Sequence, residues 1–170
     1  MYKVKKGLLV VKKLNSDSAE NLAKLCADKR KKIFLCIGDP SHMWDSYGPM
    51  VGSLLSQEEN ILCFGNVENP VNANNIELTV KAIKHAHPND IIVAIDAALT
   101  CDPSKEGNVN IHDYGVIPGG AFDRGLDRVG DYSILFGVDR DDINNRLMKK
   151  PFLAALETYQ VIKASILDDR

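Results

Sequence analysis

Unbroken apolar runs punctuate the first hundred positions: Ile33-Phe34-Leu35-Cys36-Ile37, Ile61-Leu62-Cys63-Phe64 and Ile91-Ile92-Val93-Ala94-Ile95. Continuous rather than alternating hydrophobicity over four or five residues, closed by Gly38 in the first case and Asp96 in the last, predicts strands covered on both faces. The segments between them carry apolar residues at helical spacing. Asp17-Ser18-Ala19-Glu20 resembles a capping box, and Leu22, Leu25 and Cys26 follow it, with the helix ending before the basic run Lys29 to Lys32. Asp45 or Ser46 can cap a second helix carrying Met50, Val51, Leu54 and Leu55, with Pro49 in its first turn, where a missing N–H costs little. A third follows the Asn-rich stretch 72–75, turns Ile76, Val80 and Ile83 inward and stops at Pro88. Further on, residues 109–117 and 132–138 read as strands separated by a Gly-rich loop at 118–130. A last helix starts at about Pro151, with Leu153, Leu156, Tyr159, Val161, Ile162 and Ile166 as its apolar positions.

Strand and helix in alternation predict an α/β fold, a mostly parallel sheet with helices on both faces, formed by residues 1–170 as one domain. Crossovers in such sheets are right-handed. With strand 61–64 on one side of strand 33–37 and strand 91–95 on the other, a crevice opens between the connections, outside the carboxyl ends of the strands. Ligands of open α/β sheets bind at that kind of switch point. The loops lining it would be 38–45 and 96–108, which contain Asp45 and Asp96.

Composition narrows the partners. Of 170 residues 45% are hydrophobic and 26% charged, ordinary for a globular domain. A net charge of −2, from 21 basic and 23 acidic residues, gives no reason to expect nucleic acid, whose binders carry a basic excess. Lys3, Lys5, Lys6, Lys12 and Lys13 flank the apolar stretch Gly7-Leu8-Leu9-Val10-Val11. That stretch is far too short to span a bilayer and lacks a signal-peptide cleavage site, so a strand or arm is expected there and no membrane association. Cys26, Cys36, Cys63 and Cys101 show neither C-x-x-C pairing nor zinc spacing, and Cys36 and Cys63 sit in apolar runs as small hydrophobes. Reduced thiols without an export signal point to the cytoplasm.

Asp96 directly follows five apolar residues and should emerge with little hydration. Asp45 sits at a helix start, where backbone N–H groups and the helix dipole favour its ionised form. Two carboxylates in unlike settings have separated pKa values, so one can hold a proton while the other is ionised. Amide hydrolysis needs that combination, a base for water and an acid for the leaving nitrogen. The same residues have ordinary structural uses: an Asp at a helix start is a cap worth about 1 kcal/mol, and one at a strand end can fix a loop. His42, three residues before Asp45, could join the site as proton carrier or metal ligand, or be a surface histidine. His85 and His87 suit the negative end of a helix. His112 alternates along a strand, and the Gly119-Gly120 loop follows no phosphate-binding pattern. No Ser-His-Asp or Cys-His arrangement stands out.

Several segments carry a family resemblance. Cys36-Ile37-Gly38 followed by Asp45-Ser46-Tyr47-Gly48-Pro49-Met50-Val51-Gly52 is similar to the "IG…D-x-L-G-P-x-V-G" segment of the YyaC-type sporulation proteins, described as spore proteases. The stretch 64–75, Ile92 to Leu99, Ile117-Pro118-Gly119-Gly120-Ala121 and Val129 to Ile134 match further segments in order, so the resemblance covers roughly residues 33 to 138. That family resembles in turn the germination protease of spores and the hydrogenase maturation endopeptidases. The resemblance implies a phosphorylase/hydrolase-like three-layer sandwich and a peptidase without a cofactor. Its catalytic pair would be Asp45 and Asp96, and Gly38, His42, Trp44, Gly48 and Asn72 would lie around the substrate. The partner would be a protein or peptide, a spore protein in a forespore setting, and which carboxylate is base and which acid stays open. In the maturation endopeptidases equivalent acids and a histidine bind the substrate's nickel, for which His42 or His112 would be the third ligand. The family's loop of basic and hydroxyl residues reads Gly38-Asp39-Pro40-Ser41-His42-Met43-Trp44-Asp45 here, and Asn72 stands where the family has His. A binding protein that has lost turnover, with Met43 and Trp44 as its contact surface, is therefore the alternative to a peptidase.

Overall fold

The computed structural model describes residues 14–119, 127–139 and 149–167, so the N-terminal apolar run and most of the Gly-rich loop lie outside the described residues. Helix α1 (Ser16–Ala27) begins two residues earlier than the Asp17 box suggests. Its cap is Asn15, whose side-chain oxygen accepts the Ser18 N–H at 2.8 Å. Ser18 is then available for tertiary use, and its hydroxyl accepts the Ile111 N–H at 3.0 Å.

Strand β1 (Lys32–Cys36) is buried along its whole length because it has a strand on each side and helices over both faces. Helix α2 (Tyr47–Leu55) follows a single 3₁₀ turn at Met43–Asp45. Strand β2 (Leu62–Phe64) is half-buried rather than buried, since it forms one edge of the sheet. Helix α3 (Ile76–Ala86) buries Ile76, Val80 and Ile83, the three positions its spacing marked. Strand β3 (Ile91–Thr100) runs four residues beyond Asp96. Strand β4 (Val109–His112) is shorter than its apolar pattern and ends before an isolated bridge between Val116 and Val129. Strand β5 (Tyr132–Asp139) and helix α4 (Lys149–Ile162), which continues as a π turn over Lys163–Leu167, complete the described chain. Leu153 faces outward on α4, and Ala154, Ala155, Thr158, Val161 and Ile162 face inward.

The sheet order is β2-β1-β3-β5-β4, with β4 antiparallel and all other pairings parallel. Strand alternation sends Phe34 and Cys36 to one face, where they meet Leu25 of α1, Tyr47 and Val51 of α2 and Ala155 and Ile162 of α4. Ile33, Leu35 and Ile37 face the other way, against Val80 and Ile83 of α3. The result is a three-layer α/β sandwich. Tyr47, which carries no amphipathic signal, is the largest fully buried side chain among the described residues. Its hydroxyl meets the Thr158 hydroxyl at 2.7 Å and ties α2 to α4. Cys36 and Cys63 approach each other with their sulfurs 3.7 Å apart, too far for a bond of about 2.03 Å. No helix among the described residues is long and apolar enough to cross a membrane.

Candidate active site

The site is created by strands of unequal length. β1 pairs with β3 only as far as Cys36 opposite Ile95, and one last bond joins the Ile37 N–H to the Ile95 carbonyl at 2.7 Å. At Gly38, with φ +144°, the chain turns away and its N–H bonds the Val71 carbonyl at 2.9 Å. A Cβ at position 38 would lie 2.1 Å from the Asp45 carbonyl oxygen, so only glycine lets the 38–45 loop fold back this closely. The loop closes in the 3₁₀ turn, and one Asp45 carboxylate oxygen accepts the Asp39 N–H at 2.9 Å.

Asp96 is the first β3 residue past the end of β1. It shares the sheet face of Ile92 and Ala94, is 7% exposed, and accepts the Ala97 N–H at 2.8 Å. Asp45 and Asp96 both line a cleft of about 590 Å³, within the usual range for ligand sites. Gly38, His42, Trp44 and Asn72 line it too. Gly48 does not: it is buried in the first turn of α2, where a Cβ would come within 2.1 Å of the Ile37 carbonyl and 2.7 Å of the Ile95 carbonyl. Its contribution is the close seating of α2 on the ends of β1 and β3, which leaves no room for a side chain and none for substrate.

Burial sets the electrostatics. Desolvation pushes the Asp45 carboxyl up to about 6; the Asp39 N–H opposes this, the Asp39 charge adds to it, and the His42 charge opposes it. The expectation that a helix start would favour ionised Asp45 is thus reversed. Asp45 lies in the turn ahead of α2 rather than on its N-cap, and loss of water outweighs one backbone hydrogen bond. Asp96 is held well above the ordinary carboxylate range, first by desolvation and then by the charge on Asp45, with the Ala97 N–H opposing. Asp45 therefore ionises first, and its charge holds the proton on Asp96.

His42 contributes at the cleft mouth, exposed and hydrogen-bonded through Nδ1 to the Ser41 hydroxyl at 3.1 Å. His112 is elsewhere. It lies on β4, two strands from β3 and opposite Ser133, and stacks on Tyr114 with ring centroids 4.8 Å apart. Among the described residues no three His, Cys, Asp or Glu side chains converge in a metal-ligating group. Asp39, Asn74, Val116 and Ile117 also line the cleft and were not marked by the residue pattern. Asp39 acts through its backbone, which no side-chain motif announces. Ile117 and Pro118 stand in a segment that carries the family resemblance, the one signal that could have found them.

A family model described as "Protein of unknown function (DUF1256)" matches residues 9–165. Among curated proteins the chain is similar to "Uncharacterized protein YyaC" of Bacillus subtilis (strain 168), with 33% identity over 104 residues, 60% of this chain and 50% of that protein. The chain thus aligns with about half the length of that curated relative. Among solved structures it is similar to an uncharacterized protein from Wolinella succinogenes, at 15% identity and a TM-score of 0.48, covering 78% of this chain and 94% of that one. It is also similar to the [NiFe] hydrogenase maturation protease HycI from Thermococcus kodakarensis KOD1, at 15% identity and a TM-score of 0.46, covering 84% and 98%.

Proposed function

We propose that this chain, which belongs to the DUF1256 family, is a peptidase that hydrolyses a peptide bond with the carboxylate pair Asp45 and Asp96. The observation that carries this reading is the pair itself: two largely buried carboxyls lining one cleft, both raised above the ordinary carboxylate range by desolvation, with the charge on Asp45 raising Asp96 further. Structural aspartates are seldom arranged so, since for both of them desolvation outweighs the groups that favour the ionised form.

The upward push of the Asp45 charge on Asp96 supports Asp45 as the base and Asp96 as the acid. Ionised Asp45 takes a proton from water as the water oxygen bonds to the scissile carbonyl carbon. Asp96 gives its proton to the amide nitrogen as the C–N bond breaks. The proton gained by Asp45 and that lost by Asp96 balance, so one proton exchange with solvent or between the pair resets the site. The Asp39 N–H holds one Asp45 oxygen in place and the Ala97 N–H does the same for Asp96, which fixes the directions of transfer. The resemblance of the segments at Asp45 and Asp96 to those of the germination protease supports a spore protein as substrate.

Incubation with small acid-soluble spore proteins, read by intact-mass spectrometry, tests the proposal. The expected result is discrete new peptides from the wild-type chain and none from Asp45→Asn or Asp96→Asn. Cleavage by either variant at the wild-type rate would overturn the dyad. Stable complexes with no new peptides would favour the binding-protein reading, which draws on Trp44 lining the cleft.

A further inference from the structure

β3 is paired on both sides up to Ile95 and on one side beyond it. Its register with β5 continues without interruption from Val93 opposite Tyr132 to Thr100 opposite Asp139, whereas β1 stops at Cys36. Residues 97–100 therefore present a strand edge where β1 would otherwise lie. Alternation decides which backbone groups face that edge. Ile91 donates its N–H to Lys31 and Ile95 accepts from Ile37, both on the β1 side, while Ile92 accepts from Asp131 on the β5 side. Odd-numbered residues of β3 thus point away from β5, so Ala97 and Leu99 direct their N–H and carbonyl groups outward. The Ala97 N–H is taken by the Asp96 carboxyl. Among the described residues the β1 ladder ends opposite Ile95, and no turn or loop backbone bond reaches the Ala97 carbonyl or the Leu99 N–H and carbonyl.

The cleft lies on this edge. Ala97, Ala98 and Leu99 all line it. Successive side chains in a strand point to opposite faces, so a hollow on one face would touch alternate residues only. Consecutive residues from both faces line it, as a hollow running past the end of β1 along the backbone edge would require. An acceptor, a donor and a second acceptor in sequence are what another extended backbone completes. The overhang spans on the order of 10 Å, three strand rises of about 3.3 Å, enough for three or four residues of a bound peptide. Asp96 stands at its inner end with Asp45 in the same cleft, so a chain paired along the edge is led to the carboxylate pair.

We infer that the substrate enters as an extended peptide that adds to the open edge of β3, hydrogen-bonded to Ala97 and Leu99, so recognition is chiefly of main chain rather than of side chains. This rests on the peptidase reading for what happens next, but the binding step is testable without it.

The probe is a set of decapeptides tiled through β-casein, an unstructured protein, added to the full chain and to its Asp45→Asn variant to separate binding from turnover. Trp44 is the one tryptophan in the chain and lines the cleft, so its fluorescence reads occupancy. Main-chain recognition predicts that many of the peptides bind, and that at saturation exchange of the Leu99 amide slows by about tenfold or more while the Ala98 amide, already bonded to β5, is unchanged. Leu99→Pro removes only an N–H that no strand uses, so it should keep the sheet, as edge proline does, and weaken binding by about tenfold or more. Leu99→Ala should bind within about threefold of wild type, because its N–H remains. If Leu99→Pro loses its circular-dichroism signature, N-methylation of the best peptide takes its place: methyl groups in one alternate register should block binding and those in the other should not. No binding at millimolar peptide, no protection of Leu99, or indifference to every N-methyl group would each overturn the inference. Bound peptides that protect Leu99 but are never cut by wild type would leave it standing and remove the peptidase reading. Cleavage that needs both aspartates but shows an unchanged KM in folded Leu99→Pro would do the reverse.

Discussion

Replacing Asp45 with Asn should make the protein more stable at neutral pH and inactive. The carboxyl is moved from its ordinary 3.8 to about 6 by burial. A shift of about two units at 1.36 kcal/mol each sets the cost of ionising it in the fold at on the order of 3 kcal/mol. A folded-state pKa raised above the unfolded value means that the native state holds more protons between the two values. Stability therefore falls as pH rises from about 4 to about 6, and stays at the lower level above that. Below about pH 4 both states are protonated and the cost vanishes. Asn carries no charge and keeps an oxygen for the Asp39 N–H, but its amide must also be desolvated, which returns about 1 kcal/mol or more. The net gain at pH 8 should be about 1–2 kcal/mol, a rise in Tm of roughly 2–8 °C for a chain of this length. The assay is urea unfolding of wild type and Asp45→Asn at several pH values between 4 and 8, beside the cleavage assay. A stability difference that does not change with pH would refute the buried-carboxylate account, as would a variant less stable than wild type at pH 8. Loss of activity without that signature would place Asp45 in substrate contact rather than in a desolvated pair.

The pH dependence of kcat/KM should show an acid limb with an apparent pKa of about 6, since Asp45 must be ionised, followed by loss at higher pH as Asp96 gives up its proton. A flat profile from pH 5 to 8 would contradict the assignment of base and acid. Gly48→Ala should destabilise by about 2–4 kcal/mol, because its Cβ has no space between the Ile37 and Ile95 carbonyls; a denaturation midpoint equal to wild type would show that α2 can lift off the strands without cost. Tyr47→Phe leaves the buried Thr158 hydroxyl without its 2.7 Å partner and should cost about 1–3 kcal/mol in the same measurement. A neutral result would mean that water enters to replace the phenol.

The parts of this fold that were legible in the sequence are those decided by local period. Ile76, Val80 and Ile83 are spaced for one helical face and all three are buried. The run at 33–37 is apolar at every position because both faces are covered. The parts that were hidden depend on neighbours distant in sequence. Leu62 to Phe64 is as apolar as the central strands yet only half-buried, because edge position is a property of sheet order. Tyr47 anchors α2 through Thr158, 111 residues away. Asn15 caps α1 in place of the expected box because its amide also reaches the Asn110 side chain at 3.0 Å, a contact that exists only once β4 is in place. For the site, the cluster of Asp45, Asp96, Gly38, His42, Trp44 and Asn72 in one cleft follows from strand order. The protonation of the pair could not be read, since it depends on how much water the folded loop excludes.

A single circumstance, the early end of β1, accounts for most of the candidate chemistry. Had β1 continued past Gly38, it would have paired with Ala97 and Leu99, and Asp96 would have been flanked by backbone on both sides with no cleft beside it. Because it stops, the 38–45 loop can return over the gap and bring Asp45 to the cleft that Asp96 lines. The same gap leaves β3 with donors and acceptors on one side. Desolvation of the pair and exposure of the edge are thus linked: lengthening β1 would close the edge and remove the cleft together. Gly38 controls that ending, since its positive φ turns the chain and a side chain there would strike the Asp45 carbonyl. Gly38→Val should therefore impair peptide binding and cleavage together, and should lower the Asp45 pKa toward the ordinary range as the loop opens to water. A Gly38→Val variant that keeps the wild-type acid limb would show that the loop, rather than the strand ending, holds the site in place.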